Sequence, residues 1–378
     1  MPRFVNMLRQ GMQARGHTVE VLTPEPYFHR LKAPASVRKW LGYLDQYLVF
    51  PAQVKRKLQQ YPANTLFVFA DQALGPWMPL VKDRPHVVHC HDFLAQRSAQ
   101  GIIPENITSW TGRQYQAFIR SGYRQAKNFI SVSQRTKKDL EAFLETPPLL
   151  SEVVYNGMNN NFSPVSPADA RTALIKQTGL ALNDGYLLHV GGNQWYKNRV
   201  GVIELYNAWR NSSKMALPLL LIGEPANEVL LNAHHASPYR HNIHLLSGID
   251  DATVRMAYSG ASLFLFPSLA EGFGWPIAEA MACGCPVITT NEAPMTEVAG
   301  DAALLIPKKT KNNAAKWAAE SATIIESLIQ LPDKDHAAII SKGFTNVKRF
   351  DTGTALDRIE AIYNQVMQVN NSPFATTA

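Results

Sequence analysis

Nine short apolar stretches alternate with helical stretches along the chain, and that alternation constrains its fold more than any other feature. They run Leu66–Ala70, His86–Cys90, Asn128–Ser133, Tyr186–Val190, Pro218–Ile222, Ile243–Leu246, Ser262–Phe266, Pro286–Thr289 and Ala303–Ile306. Strands apolar on both faces must be covered on both faces, which predicts parallel sheets clothed by helices, an α/β class. At 378 residues the chain is too long for one ordinary core and could fill two compact α/β domains or one large barrel. The Asn-, Ser- and Pro-rich segment Asn156–Pro167 (NGMNNNFSPVSP) divides the strands into two sets and reads as the linker. The expected division is a first domain over residues 1–160 and a second over 161–352. Residues 353–378 hold a final helix, roughly Thr354–Val369, placed to pack back across the first domain, and a tail.

The opening departs from the pattern. In PRFVNMLRQGMQARGHTVEVLTP, Phe4, Val5, Leu8 and Met12 recur at helical spacing, Gly16 suits a left-handed stop, and Val19–Leu22 reads as a short strand. A doubly wound domain ordinarily begins with a strand and a glycine-containing turn before its first helix. The first domain is therefore expected to lack its opening strand. Either the reading frame starts downstream of that strand or the fold omits it.

Composition excludes several classes. Apolar residues make up 46% and charged residues 18%, which rules out a disordered chain. No apolar run approaches the roughly 20 residues needed to span a bilayer. Cys90, Cys283 and Cys285 match neither a disulfide framework nor a zinc spacing, and no signal-peptide pattern opens the chain, so the cytosol is the expected compartment. Residues 1–150 carry 20 Lys and Arg against 10 Asp and Glu, whereas the remainder carries 17 against 20. A basic half of this kind suits a polyanion, an anionic membrane surface or an acidic substrate, or is simply a basic soluble surface. Within it, Trp40, Leu41, Tyr43, Leu44, Tyr47, Leu48 and Phe50 lie between Arg38-Lys39 and Lys55-Arg56-Lys57. Basic clusters flanking aromatics suit peripheral contact with a headgroup surface; the alternative is an ordinary helix packed under the domain.

The stretch richest in chemistry is PSLAEGFGWPIAEAMACGCPVITT, residues 267–290. A strand ends in the loop Glu271-Gly272-Phe273-Gly274-Trp275, Pro276 suits the start of a helix, and Gly284 suits its end. The free N–H groups and dipole of such a helix attract phosphate, and Gly272 and Gly274 let backbone amides approach a ligand. Glu271 and Glu279 stand far enough apart to reach different parts of one elongated ligand, each able to accept paired hydrogen bonds from vicinal hydroxyls. Read one at a time, Glu279 is an acidic residue favoured at a helix start, and the glycines form a plain turn.

Taken whole, the string from Pro267 to Val287 resembles the donor-site signature, an E-x7-E motif, of the retaining family 4 glycosyltransferases of GT-B fold. The opening RFVNMLRQGMQARGHTVEVLTP is similar to that family's first helix and second strand, and HVVHCHD to its strand-end His motif. SVSQRTKKDL is similar to its Ser-rich strand-to-helix passage. VVYNGMNNNFSP is similar to its interdomain segment, and HVGGNQWYKN to its phosphate loop. The resemblance implies two doubly wound Rossmann-like domains facing a cleft, and transfer of a hexose from a nucleotide diphosphate sugar to a hydroxyl acceptor. It implies neither metal nor cofactor and no nucleic-acid partner.

By the same resemblance Glu279 would hold the nucleotide ribose, and Glu271 with Gly272, Phe273 and Gly274 the transferred sugar. Lys197, with Gly191 and Gly192 of the phosphate loop, would meet the diphosphate as it leaves. Many relatives carry an Arg a few residues before this Lys. Gly191, Gly192 and Asn193 fill that stretch here, and Arg199 is the candidate substitute. His91 falls at the carboxyl end of its strand and fits the sugar-contacting His, with Asp92 as its orienting partner; alternatively it is a strand-end His capped by that carboxylate. Base recognition is expected from backbone near Gly248 and Ile249. Asp333-Lys334-Asp335 follows Pro332 and is read as a helix N-cap rather than a metal motif. The basic half becomes the acceptor half, which favours a lipid-linked or polysaccharide precursor and peripheral membrane contact on the cytoplasmic side. The competing readings are a nucleotide-sugar epimerase of the same fold and a truncated chain that binds a nucleotide sugar without transferring it.

Overall fold

The structure, a computed structural model, describes residues 2–158 and 162–371. Met1, the 160/161 boundary expected from sequence and the tail beyond residue 371 lie outside the described residues. Among the described residues two compact units form, one from residues up to 154 together with 353–371, the other from residues between 155 and 352.

The first unit is built on four parallel strands in the order β1-β2-β3-β4: Phe67–Phe69, His86–Cys90, Asn128–Ser131 and Leu150–Val153. Alternation along β2 feeds two cores. Val87, with Ile130 of β3, packs against Leu8 and Met12 of the opening helix Pro2–Ala14 and against Leu356, Ile359, Ile362 and Val366 of the last helix, Thr352–Asn371. Val88 and Cys90, with Phe129, pack on the other side against Met78, Ile119, Tyr123, Leu140 and Phe143. The last helix thus supplies much of one core of this unit. A Cβ at Gly11 would stand 2.4 Å from a Leu356 methyl, so Leu356 of the last helix occupies the space that a side chain at Gly11 would need.

Two expectations change here. Val19–Leu22 forms no strand: Val19 packs against the core shared with the last helix, but among the described residues β1 is paired on its β2 side alone. An alternating tetrapeptide becomes a strand only when a neighbouring backbone registers with it. Conversely, Leu150–Val153 (LSEV) is a strand, half-buried at the sheet edge, where polar Ser151 and Glu152 broke the apolar run that would have flagged it.

The second unit carries six parallel strands, ordered β10-β9-β8-β5-β6-β7. They are β5 Leu187–Val190, β6 Leu219–Gly223, β7 Ile243–Ser247, β8 Leu263–Phe266, β9 Val287–Thr290 and β10 Ala303–Ile306. Leu187, Leu219, Leu221, Leu263, Leu265 and Ile288 share a buried cluster with Trp209 and Trp317 from the flanking helices Arg199–Ser212 and Ala314–Ile329. Strand order reverses between β5 and β8, so the loops leaving their carboxyl ends diverge to opposite sides. In open parallel sheets that divergence is where ligands bind.

Candidate active site at the β5–β8 switch point

The two loops that leave β5 and β8 are fastened to each other. Leu269 N–H donates to the Tyr196 carbonyl at 2.8 Å, and the Asn198 side-chain amide donates to the Pro267 carbonyl at 2.9 Å. Asn198 holds φ 54°, a left-handed conformation that Asn tolerates and that turns the chain into the helix Arg199–Ser212. Lys197, just before that turn, points at Glu271 on the other loop. Its Nζ lies 2.8 and 3.0 Å from the two carboxylate oxygens, with the side chains 15% and 7% exposed. Two of the residues singled out from sequence, 74 positions apart, are therefore in direct contact. The ammonium also sits 5.1 Å from the Phe266 ring centre and 5.5 Å from that of Tyr196.

Beyond Glu271 the loop ends at Gly274, whose φ of +107° suits glycine alone, and the helix Trp275–Ala282 begins, with Pro276 as its second residue. Glu279 is buried within that helix and accepts the Tyr258 hydroxyl at 3.3 Å. Phe273 is buried too, its ring 5.3 Å from Trp275 and 5.5 Å from Phe350, so its side chain secures the loop. Gly284 takes the left-handed position just past the helix end, as expected.

The loop after β5 passes close to the end of β6: a Cβ on Gly223, the last residue of β6, would meet the Gly191 carbonyl oxygen at 2.0 Å, so that position requires glycine. Arg199 is buried and donates to Asn193 Oδ1 at 2.7 Å and to the Glu224 carbonyl at 3.1 Å. Burial pulls its guanidinium below the usual range, partly opposed by Glu224. These contacts tie Asn193, in the loop after β5, to the segment that follows β6.

His91 lies in the first unit, immediately after β2. Its Nε2 donates to the Ala70 carbonyl at 2.9 Å, its backbone N–H donates to Gln72 Oε1 at 3.0 Å, and the Phe4 ring stands edge-on 4.5 Å away. Asp92 accepts the Leu94 N–H at 3.0 Å, so the ring is oriented by Ala70 and Phe4 rather than by the neighbouring carboxylate. Burial pushes His91 down and Asp92 up from their ordinary values. With Nε2 protonated, Nδ1 of the neutral ring can only accept. Gly248 takes φ +71° at the end of β7. Asp333 and Asp335 lie in the first turn of the helix Asp333–Val347, but Pro332 holds the cap position and no side chain caps it. Among the described residues, no group of three or more His, Cys, Asp or Glu is placed to hold a metal ion.

Sequence reasoning passed over His189, which lies buried beneath Gly191 with one ring nitrogen bound to β8. In HVGG it reads as one more residue of an apolar strand, and only the folded register shows what it faces.

Two parallel-sheet α/β units with a site at the second sheet's switch point define the architecture shared with solved GT-B glycosyltransferases. The family model for glycosyl transferases group 1 matches residues 170–340, and that for glycosyltransferase family 4 matches residues 1–162. The chain is a group 1 glycosyltransferase. It is 28% identical to the O-antigen chain mannosyltransferase B of Escherichia coli over 63% of this chain, an alignment that spans 60% of the relative's length. It is 27% identical to a phosphatidyl-myo-inositol mannosyltransferase of Mycobacterium leprae over 96% of this chain and 92% of the relative. Anabaena HepE, solved with UDP and glucose, superposes with a TM-score of 0.67 at 22% identity, covering 94% of this chain and 88% of that one.

Proposed function

We propose that this glycosyltransferase moves a hexose from a nucleoside diphosphate sugar to a hydroxyl acceptor with retention at the anomeric carbon, without a metal. The observation that carries the reading is the Lys197–Glu271 contact at the β5–β8 switch point. It sets a cation for the leaving diphosphate beside a carboxylate for the sugar hydroxyls. Glu279 holds the ribose; Glu271 and the backbone of Gly272, Phe273 and Gly274 hold the sugar. Gly191, Gly192 and Lys197 line the diphosphate, and Arg199 keeps that loop in place. His91, with a ring nitrogen able only to accept, takes a hydroxyl of the sugar. As the anomeric C–O bond to phosphate breaks and the new C–O bond forms, the acceptor proton passes to the departing diphosphate. Lys197 and the N–H groups at the start of the helix Trp275–Ala282 offset the charge that develops there.

The relatives named for O-antigen and phosphatidyl-inositol mannosylation support a polysaccharide precursor or a lipid-linked acceptor. No described helix is long and apolar enough to cross a membrane. We place the enzyme at the cytoplasmic face, in peripheral contact through its basic half. Trp40 is 68% and Leu48 65% exposed in the stretch flanked by Arg38-Lys39 and Lys55-Arg56-Lys57. Sedimentation with anionic liposomes tests the contact: binding at low salt that weakens at high salt is expected, and no binding at low salt contradicts it. For the reaction, release of nucleoside diphosphate from a panel of UDP- and GDP-hexoses is the test. An isomerised nucleotide sugar formed without acceptor would instead mark an epimerase.

A further inference from the structure

We propose that His189 is a positioning residue for Lys197: its bare Nε2 accepts the Lys197 ammonium once a donor sugar takes over the Glu271 carboxylate. The inference rests on the roles given above to Lys197 and Glu271.

His189 is the third residue of β5 and is fully buried. Its Nδ1 lies 2.9 Å from the Leu265 carbonyl oxygen, and a carbonyl can only accept, so Nδ1 carries the proton. Burial first, with Leu265 opposing and the charges of Arg199 and Lys197 adding, holds the imidazole pKa down at about 3. The ring is therefore neutral at ordinary pH, and Nε2 presents a lone pair. That nitrogen is buried and has no hydrogen-bond partner among the described residues. Buried polar atoms are nearly always paired, so one left open in the resting site points to a partner that arrives in another state.

The geometry shows which partner can arrive. A Cβ built on Gly191 would stand 2.9 Å from His189 Nε2 and 3.5 Å from Lys197 Cδ. The space between the imidazole and the lysine stem is therefore the space that the missing Gly191 side chain leaves open. Nζ lies two bonds beyond Cδ, and staggered rotations of the last two torsions swing it across that gap. Phe266 lies against both groups, its centroid 5.1 Å from Nζ and 6.3 Å from the His189 ring.

The chemistry gives the handover a purpose. In the resting site Nζ bonds both oxygens of Glu271, and the sugar hydroxyls need those same oxygens. An ammonium has three N–H groups and stays buried here, so it requires acceptors when the carboxylate is withdrawn. The diphosphate supplies some and His189 another. Because His189 is neutral, it fixes the ammonium without offsetting its charge, and the full positive charge stays available to the leaving group.

The test is a double-mutant cycle read as nucleoside diphosphate release from UDP-glucose and GDP-mannose. The proteins are the parent, His189→Phe, Lys197→Ala and His189→Phe/Lys197→Ala. The expected result is that His189→Phe lowers kcat about tenfold with KM within about twofold, and that this loss vanishes when Lys197 is already Ala. Gly191→Ala, whose Cβ fills the gap between His189 and Lys197, should lower kcat similarly and also lose its effect in the Lys197→Ala background. It decides the matter if His189→Phe does not fold. Losses of equal size in both backgrounds would mean packing or a clash with phosphate, and would overturn the inference. So would His189→Phe turning over like the parent while Lys197→Ala is impaired. If Lys197→Ala itself matches the parent, the role of Lys197 fails, and the handover fails with it.

Discussion

Lys197 Nζ stands 2.8 and 3.0 Å from the two oxygens of Glu271, and both side chains are largely shielded from water. Neither residue is near the other in sequence; the switch point makes them neighbours, because β5 and β8 lie side by side and their loops are hydrogen-bonded together. In the resting site each charge answers the other. The bound donor would divide them, the carboxylate going to sugar hydroxyls and the ammonium to phosphate.

A pair this buried should behave as a unit in stability. Removing either partner strands a charge, at a cost of about 3–5 kcal/mol, whereas removing both costs less than the two separate losses together. Urea denaturation of Lys197→Met, Glu271→Leu and the double variant is expected to show a coupling of that sign. Additive losses would mean that the pair is not formed in solution.

Glu279 is expected to act on binding. Glu279→Gln should raise KM for the donor about tenfold or more and change kcat little, because ribose contacts are equally present in ground and transition states. Initial rates against donor concentration measure the split. A fall in kcat at constant KM would move Glu279 to the reacting end of the ligand.

Stability should fall on mild acidification. His89 and His189 are both fully buried and held at about 3 by burial, below the ordinary imidazole value of 6.5. Below pH 6.5 the unfolded chain takes up protons that the folded chain refuses, so the stability each contributes is present above that pH and lost as pH falls towards 3. Each group adds a slope of about 1.4 kcal/mol per pH unit well below its unfolded value. Thermal unfolding at pH 7.5 and pH 5 should therefore show a smaller loss for His189→Phe than for the parent. Equal losses would mean that the imidazole is charged in the fold.

The last helix should be indispensable to the first unit. Ile359→Ala removes a buried contact with the core around Val87 and Ile130, and is expected to cost about 2–5 kcal/mol. Chemical denaturation followed by tryptophan fluorescence measures it, and a change under 1 kcal/mol would mean that the helix is not docked in solution.

Much of this was legible in the sequence for physical reasons. Strands such as Leu263–Phe266, apolar on both faces, announce a covered parallel sheet, and Gly274, Pro276 and Gly284 punctuate the helix between them. The edge strand Leu150–Val153 was not, because half-burial lets polar residues into it. The supposed strand at Val19–Leu22 had the right residues and no ladder partner, which is a property of the sheet rather than of the segment. At the site, residue types marked Glu271 and Lys197 as candidates, but their contact depends on strand order. His189 escaped notice because burial, a tautomer fixed by Leu265 and the gap at Gly191 exist only in the fold.

The central claim is that Lys197 and Glu271 carry transfer from a nucleoside diphosphate sugar. Its most direct test is the rate of nucleoside diphosphate release by the parent, Lys197→Ala and Glu271→Ala at saturating UDP- or GDP-hexose. The account predicts that each variant, folded and still able to bind UDP or GDP, loses about a hundredfold or more in kcat. Variants that turn over as fast as the parent would contradict it.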